Sequence, residues 1–464
     1  MLSFVNAANR FFSGPVMLWG VLAVGALLTV KTGFIQFRRL PYALRYAFSK
    51  MFEKPKKGQK GITPFQAVTT ALSGTLGTGN IAGVGAALSI GGPGALFWMW
   101  VGAFLGMAIK YSEIVLAMCT RKKDKDGYHG GAMYYLQKLA GGKMLAFLFC
   151  IFCIGASFCM GNMAQSNTAA AALRAVFPIS DGGCRFLFLL ITILVGFVIL
   201  GGIKRIAKTT EALVPAMAVF YLLGCFVVIG MNLQSVPAIF FEIFSAAFSF
   251  RSMAGGAVGM TMIHAMKVGF TRGVFTNEAG LGSAPIAHAA AENPTPAKQG
   301  LWGIFEVFFD TIVMCTLTGL VVLLAGLPLN SSSDGAAVTL AAFEVSLGGF
   351  ASVLIGISTL FFAVATIIGW SFYGESCVRY LCRRKRAVFL YKLCYVAAVY
   401  IGAVSSIELI WGLSDLFNSL MMLVNLLGVA CLCNVIREET RGLFRMVSKE
   451  KKSKPAKIKQ KRRI

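Results

Sequence analysis

Apolar runs of about 17–25 residues, the length needed to cross the hydrocarbon core as helices, recur eleven times along the chain. They fall near residues 15–35, 64–90, 95–118, 145–172, 186–202, 211–231, 255–290, 300–327, 350–377, 388–404 and 410–434. Most carry few polar side chains; two do not. Inside the second run, residues 71–80 read ALSGTLGTGN and pack three glycines, three hydroxyls and an amide into ten positions. Inside the seventh, residues 272–283 read RGVFTNEAGLGS. Hydrocarbon penalises exposed polar groups, so such stretches must be buried in protein or line a cavity. Glycine lets a helix unwind, and the seventh run is too long and polar for one unbroken helix. Residues 237–249 and 335–347 read as short interfacial helices, the second in an outer loop. Gly91-Gly92-Pro93-Gly94 reads as a tight outer turn that makes the second and third helices a close pair.

The two interrupted runs lie five spans apart, so they cross the membrane in opposite directions. They are the expected first helices of two five-helix halves of opposite orientation, an architecture in which the site lies between the breaks. Glycines used only for close helix packing would explain one such run less well than two in matching positions. The sequence thus divides into a single transmembrane domain over 1–440 and a basic cytoplasmic tail over 441–464. Within the domain, 15–60 is an extra first helix and inner loop, and 62–231 and 254–434 are the two halves.

Composition agrees: 57% of the 464 residues are hydrophobic and only 14% charged, whereas soluble domains carry about 25% charged residues. The net charge of +25 could suggest nucleic acid, but its distribution points to the membrane. With the N-terminus outside and the C-terminus inside, inner segments hold 36 of the 44 basic residues and outer segments hold 4, Arg10, Arg174, Arg185 and Arg251, as the positive-inside rule requires. The first apolar run has only Arg10 before it and a cluster of basic residues after it. It therefore reads as a retained helix rather than a signal peptide. The basic tail reads as a topology anchor and disordered end, with contact to anionic lipid as the other reading. Twelve scattered cysteines, Cys150 and Cys153 among them, lack metal-ligand spacing and read as small packing residues. His129, His264 and His288 are all the histidines and show no metal spacing, and no phosphate-binding loop is present, which argues against an ATP-driven pump.

A broken helix offers free N–H groups at a positive dipole end and free carbonyls at a negative one. A carboxylate suits the first, and an ammonium or a sodium ion suits the second. A zwitterionic amino acid satisfies both. Span nine adds Thr366 and Trp370, four apart on one helical face, for hard-oxygen ligation of sodium and for capping a small pocket. The alternatives are that Thr366 bonds back to its own helix and that Trp370 only packs. In span four, Gln165 is the residue placed to reach a substrate, and Asn162, Ser166, Asn167 and Thr168 suit inter-helix bonds. Buried charges are expected at Lys267, Arg272, Glu278, Glu306, Asp310 and Asp415. Glu306 and Asp310, four apart, either hold a cation, share a proton or pair with Lys267 or Arg272. Lys110 and Glu113 are expected to pair with each other.

The segment LSGTLGTGNIAGVG (72–85) closely resembles a hallmark of the alanine or glycine:cation symporters. So do Gly92-Pro93-Gly94-Ala95 with Phe97-Trp98-Met99-Trp100, GVFTNEAGLGSAPIAHAAA (273–291) and IGWSFYGE (368–375). The resemblance spans about residues 15–440. It implies an all-α polytopic membrane protein of about eleven transmembrane helices, a five-plus-five inverted repeat of the leucine-transporter type with one extra N-terminal helix. It implies sodium-coupled uptake of alanine or glycine across a bacterial or archaeal plasma membrane, with sodium co-transported and no organic cofactor. The substrate residues it implies are Gly77, Thr78, Asn80, Gln165, Phe275, Thr366 and Trp370. The sodium ligands it implies are carbonyls near Thr75 and Leu76 with oxygens near Thr366. Leu76 stands where the family pattern has valine, a mild change beside the site. A proton-coupled transporter using Glu278, Glu306 or Asp310 is the alternative. A membrane enzyme lacks a convergent nucleophile, base or metal set, and a channel would give flux that does not saturate.

Overall fold

The structure is a computed structural model. It describes every residue except 1, 13–15, 52, 54–60, 125–126, 178–179, 249–261, 294, 330–333, 406–407 and 462–464, with backbone alone at 2, 4, 6, 408 and 449–461. The expected outer position of Arg251, the start of span seven, inner-loop Lys54, Lys56, Lys57 and Lys60, and the side chains of the tail from Lys449 lie outside the described residues.

The described chain is almost wholly helical. Helix α1 (Met17–Lys31) is followed by the first broken pair, α2 (Pro64–Thr75) and α3 (Ala82–Gly91), and by α4 (Gly94–Thr120). Then come α5 (Gly142–Val176), α6 (Asp181–Leu200) and α7 (Gly202–Met231). The second broken pair is α8 (Met262–Asn277) and α9 (Ala284–Ala289), followed by α10 (Pro296–Leu324), α11 (Phe350–Leu381), α12 (Lys385–Val404) and α13 (Glu408–Cys431). Eight of these are long and apolar enough to span a membrane unbroken, and the two pairs and the 15-residue α1 occupy the other expected spans. Short helices Val236–Ala247 and Gly335–Leu347 stand where interfacial helices were expected. The region 433–461, expected to end in a disordered tail, is one helix (Cys433–Lys461). A two-stranded hairpin, Lys122–Lys123 with Tyr128–His129, follows α4 and has no hydropathy signature.

Burial sorts the helices. Of the apolar stretch of α4, 83% is buried, against 33% for α6, so α4 is central and α6 peripheral. Leu194, Phe197, Leu223 and Leu390 on α6, α7 and α12 are exposed, as lipid-facing residues should be.

Each break has a local cause. Thr63 caps α2 reciprocally with Gln66, and Pro64 fits the first turn, where no N–H is needed. The helix stops after Thr75. Gly77 is extended, and Thr78–Asn80 form a single 3₁₀ turn before α3 starts. In the second pair the chain leaves α8 through left-handed Glu278 (φ 52°), then Gly280 (φ 96°) and Gly282 (φ 78°). A left-handed glutamate is costly unless held. Here Ser283 Oγ donates to Glu278 Oε2 at 2.6 Å and Trp370 Nε1 donates to Oε1 at 3.0 Å. Gly92 (φ 69°) makes the expected tight turn from α3 into α4.

Two long helices carry π segments, Cys159–Met163 in α5 and Phe308–Cys315 in α10. Such segments are uncommon and recur at functional sites.

Candidate site at two helix breaks

The first break is built from its own amide. The Gly77 N–H donates to Asn80 Oδ1 at 3.1 Å, and the Asn80 N–H donates to the Gly77 carbonyl at 3.2 Å. The other end of the Asn80 amide points away, donating to Asp310 Oδ1 at 2.7 Å. Asp310 Oδ2 accepts from Thr311 Oγ1 at 2.8 Å, and Thr311 Oγ1 in turn accepts from Asn277 Nδ2 at 3.1 Å. Asn277 Oδ1 accepts the Ala279 N–H at 3.0 Å, inside the second break. One hydrogen-bonded chain, Asn80–Asp310–Thr311–Asn277, therefore joins the two breaks through the π segment of α10. All four residues are fully buried.

On the other side of the first break, the backbone itself forms the wall. A methyl group placed on Gly77 would lie 3.0 Å from Thr366 Oγ1, 3.8 Å from Gln165 Oε1 and 4.0 Å from the Thr75 carbonyl oxygen. Gly77, Gln165, Thr366 and the Thr75 carbonyl thus converge, and Thr78 joins them by donating to Gln165 Oε1 at 3.2 Å. Thr366 does bond back to its helix, donating to the Phe362 carbonyl at 2.9 Å. That bond spends the hydroxyl proton and leaves oxygen lone pairs facing Gly77, so back-bonding and cation ligation are compatible. Both sit at the C-terminal end of α2, where the helix dipole is negative. The start of α3 supplies the opposite pole. Thr339 of the helix Gly335–Leu347 covers it, donating to the Ile81 carbonyl at 2.9 Å.

Trp370 is fully buried. Its indole lies against the π segment of α5: a methyl on Gly161 would meet Trp370 Cγ at 2.4 Å. Tyr395 Oη donates to the Gly161 and Ile367 carbonyls, at 3.1 and 2.9 Å, and so ties α12 to both walls. On the α2 side a methyl on Gly74 would come within 3.5 Å of Trp370 and 3.2 Å of Tyr373.

Two expected residues, Phe275 and Asn80, are placed differently. Phe275, one turn before the second break, lines a separate cavity of about 370 Å³ with Arg272, Leu281, Asp415, Asn418 and Met422. It does not join the Gly77 cluster because α8 turns its next residue, Thr276, towards Gly79 instead. The Leu76 side chain is fully buried among apolar residues; the ligand expected there is its backbone carbonyl, not this side chain. Asn80 holds Gly77 and Asp310 rather than an open space.

The buried charges also pair otherwise than expected. Lys110 and Glu113 do not pair: Lys110 Nζ meets Glu306 Oε1 at 3.2 Å, with both side chains fully buried, and Glu113 accepts from Asn425. His288 Nε2 lies 3.3 Å from Glu306 Oε2. Lys267 is exposed and Arg272 half-buried, both at the cavity of Phe275. Glu306 and Asp310 thus have separate partners: Lys110 and His288 for the first, Asn80 and Thr311 for the second. The residues that sequence reasoning left without a role are Asn277, Thr311 and Gly161. Asp310 was visible only as a charge in an apolar run, and the π segments that aim Gly161, Asp310 and Thr311 leave no local signature.

The sequence profile of the sodium:alanine symporter family matches residues 1–458. The chain is 43% identical over 462 residues to the sodium/alanine symporter AgcS of Methanococcus maripaludis, covering 97% of this chain and 99% of that one. It is 36% identical over 433 residues to the probable sodium/glutamine symporter GlnT of Bacillus subtilis, covering 93% and 88%. Among solved structures it resembles MhsT in complex with L-phenylalanine, with TM-score 0.58 at 14% identity, covering 81% and 89%. At that identity the likeness speaks to the fold, which is the leucine-transporter type.

Proposed function

Since the chain belongs to the sodium:alanine symporter family and is a sodium-coupled amino-acid symporter, we propose that its substrate is alanine or glycine, taken up by alternating access. The observation that carries this is the convergence at Gly77. Extended backbone, one glutamine amide and one threonine hydroxyl meet with less than a methyl group's clearance, and Trp370, one turn along α11 from Thr366, packs against the Gly74 and Gly161 backbone. A site so confined suits a small side chain. The relatives include proteins named for alanine and for glutamine, so the preference is a property of this pocket.

In this reading the Thr75 carbonyl and Thr366 Oγ1 hold sodium at the negative end of α2, and the N-terminal end of α3 receives the substrate carboxylate. Sodium orders the break, completes the amino-acid pocket and favours closure. The concentration of basic residues in the inner segments supports an N-terminus outside and a C-terminus in the cytoplasm of a bacterial or archaeal cell.

Competition against labelled alanine uptake tests the preference: alanine and glycine are expected to compete strongly, glutamine weakly. Competition by glutamine equal to that by alanine would overturn the small-substrate reading. Thr366→Ala is expected to raise the half-saturating sodium concentration about tenfold or more, a loss of about 1.4 kcal/mol, while the fold persists because only a back-bond is lost. An unchanged sodium dependence would remove Thr366 from the ion site.

One observation favours a proton-coupled variant. The described partners of Asp310 are neutral, Asn80 and Thr311, so its charge in the membrane must be balanced by sodium or a proton. Replacing sodium by choline at fixed pH separates the two: uptake that survives choline favours the proton.

A further inference from the structure

On the face opposite the Gly92 turn, the chain entering α2 and the chain leaving α9 are stitched together. Ile62 and Ala291 form a parallel β-bridge. The Ile62 N–H donates to the Ala290 carbonyl at 3.3 Å, and the Glu292 N–H donates to the Ile62 carbonyl at 2.9 Å. The Gly61 N–H donates to Glu292 Oε1 at 3.1 Å. Arg121, at the end of α4, then covers the seam. Its guanidinium donates to the Ala289, Ala291 and Asn293 carbonyls at 3.2, 2.5 and 2.8 Å and lies 4.0 Å over the Tyr128 ring. The fit is close: a methyl on Gly130 would lie 2.5 Å from Ala289 Cβ, and one on Gly61 would lie 2.8 Å from the Ala290 carbonyl oxygen.

We propose that Arg121 is a positioning residue: it fixes the chain leaving α9 against the hairpin after α4, and with it the strand bridged to Ile62, so that α2 and α9 move as one body during transport. Its planar fork carries donors on two nitrogens in fixed directions and so reaches carbonyls spread over several residues, whereas the three donors of lysine share one nitrogen at a single point. The clasp lines one side of a cavity of about 440 Å³. The far wall is Phe372, Glu375 and Arg379 of α11 with Lys392 of α12, where Glu375 is held by Arg379 at 2.8 Å and Lys392 at 3.1 Å. Widening this passage therefore separates the clasped pair from α11 and α12, and not α2 from α9.

The consequence for uptake rests on the transporter reading; the clasp itself does not. Ile62→Cys with Ala291→Cys, joined by oxidation, tests it in the full-length protein, against the oxidised native chain as control for its own cysteines. Uptake within about twofold of the unoxidised variant is expected, because the two ends never part. Abolition on oxidation, restored by reduction, would overturn the proposal. Hydrogen exchange of the purified protein is the second measurement and needs no transport activity. In Arg121→Ala the Ile62 and Glu292 amides are expected to exchange at least tenfold faster than in the native chain, with α11 amides unchanged, and Arg121→Lys is expected to resemble alanine. Exchange within twofold of native in Arg121→Ala, or full rescue by lysine, would remove Arg121 from this role. Absence of sodium-driven uptake in the native chain would instead count against the transport reading and leave the exchange test standing.

Discussion

Lys110→Met is expected to lose most of the folded protein. Lys110 and Glu306 meet at 3.2 Å with no exposed surface on either side chain, in the helix pair α4 and α10 at the centre of the bundle. Removing the ammonium leaves a carboxylate in a medium that cannot solvate it, with only His288 nearby. Breaking one side of a buried pair costs about 3–5 kcal/mol, a large share of the roughly 5–15 kcal/mol by which proteins are stable. The same reasoning predicts that Lys110→Met combined with Glu306→Leu recovers much of the loss, since an apolar pair of similar volume removes both desolvation costs. Thermal melting with size-exclusion chromatography in detergent reads the cycle. A double variant no better than the single would mean that Lys110 is needed for something other than neutralising Glu306.

Asn80→Ala is expected to leave a folded protein that does not transport. Asn80 is fully buried and closes the first break through Gly77 while reaching Asp310. Alanine leaves the Gly77 N–H and the Asp310 carboxylate without this partner. Each unmade bond to a buried group costs about 1–3 kcal/mol, so together they distort the break and weaken substrate binding by roughly a hundredfold or more. Equilibrium binding of labelled alanine, compared with the melting temperature, separates a lost site from a lost fold. Binding within threefold of native would place the substrate elsewhere.

The spans and the two breaks were legible because hydrocarbon leaves so few solutions: long apolar runs become helices, and glycines with hydroxyls inside them become interruptions. The Gly77–Gln165–Thr366 cluster draws on residues 88 and 289 positions apart in sequence from Gly77, and the family pattern, not the local chemistry, points to it. Pairing of the buried charges was not legible. Lys110 and Glu113 have the spacing of a helical ion pair, yet the partner of Lys110 is 196 residues away, because α4 lies against α10. Phe275 shows a finer limit. It lies beside the second break, but the rotation of α8 turns Thr276 towards Gly79 and leaves Phe275 on the neighbouring cavity, and a rotation of one residue is set by packing rather than by composition.

The central claim is that the two breaks form one site in which sodium and a small amino acid are bound together. Purified protein in liposomes, loaded without sodium and diluted into labelled alanine with or without external sodium, tests it most directly. Concentrative uptake is expected only with the inward sodium gradient, collapsing when a sodium ionophore dissipates it. Uptake indifferent to that gradient, or driven equally by a proton gradient in choline, would contradict the account.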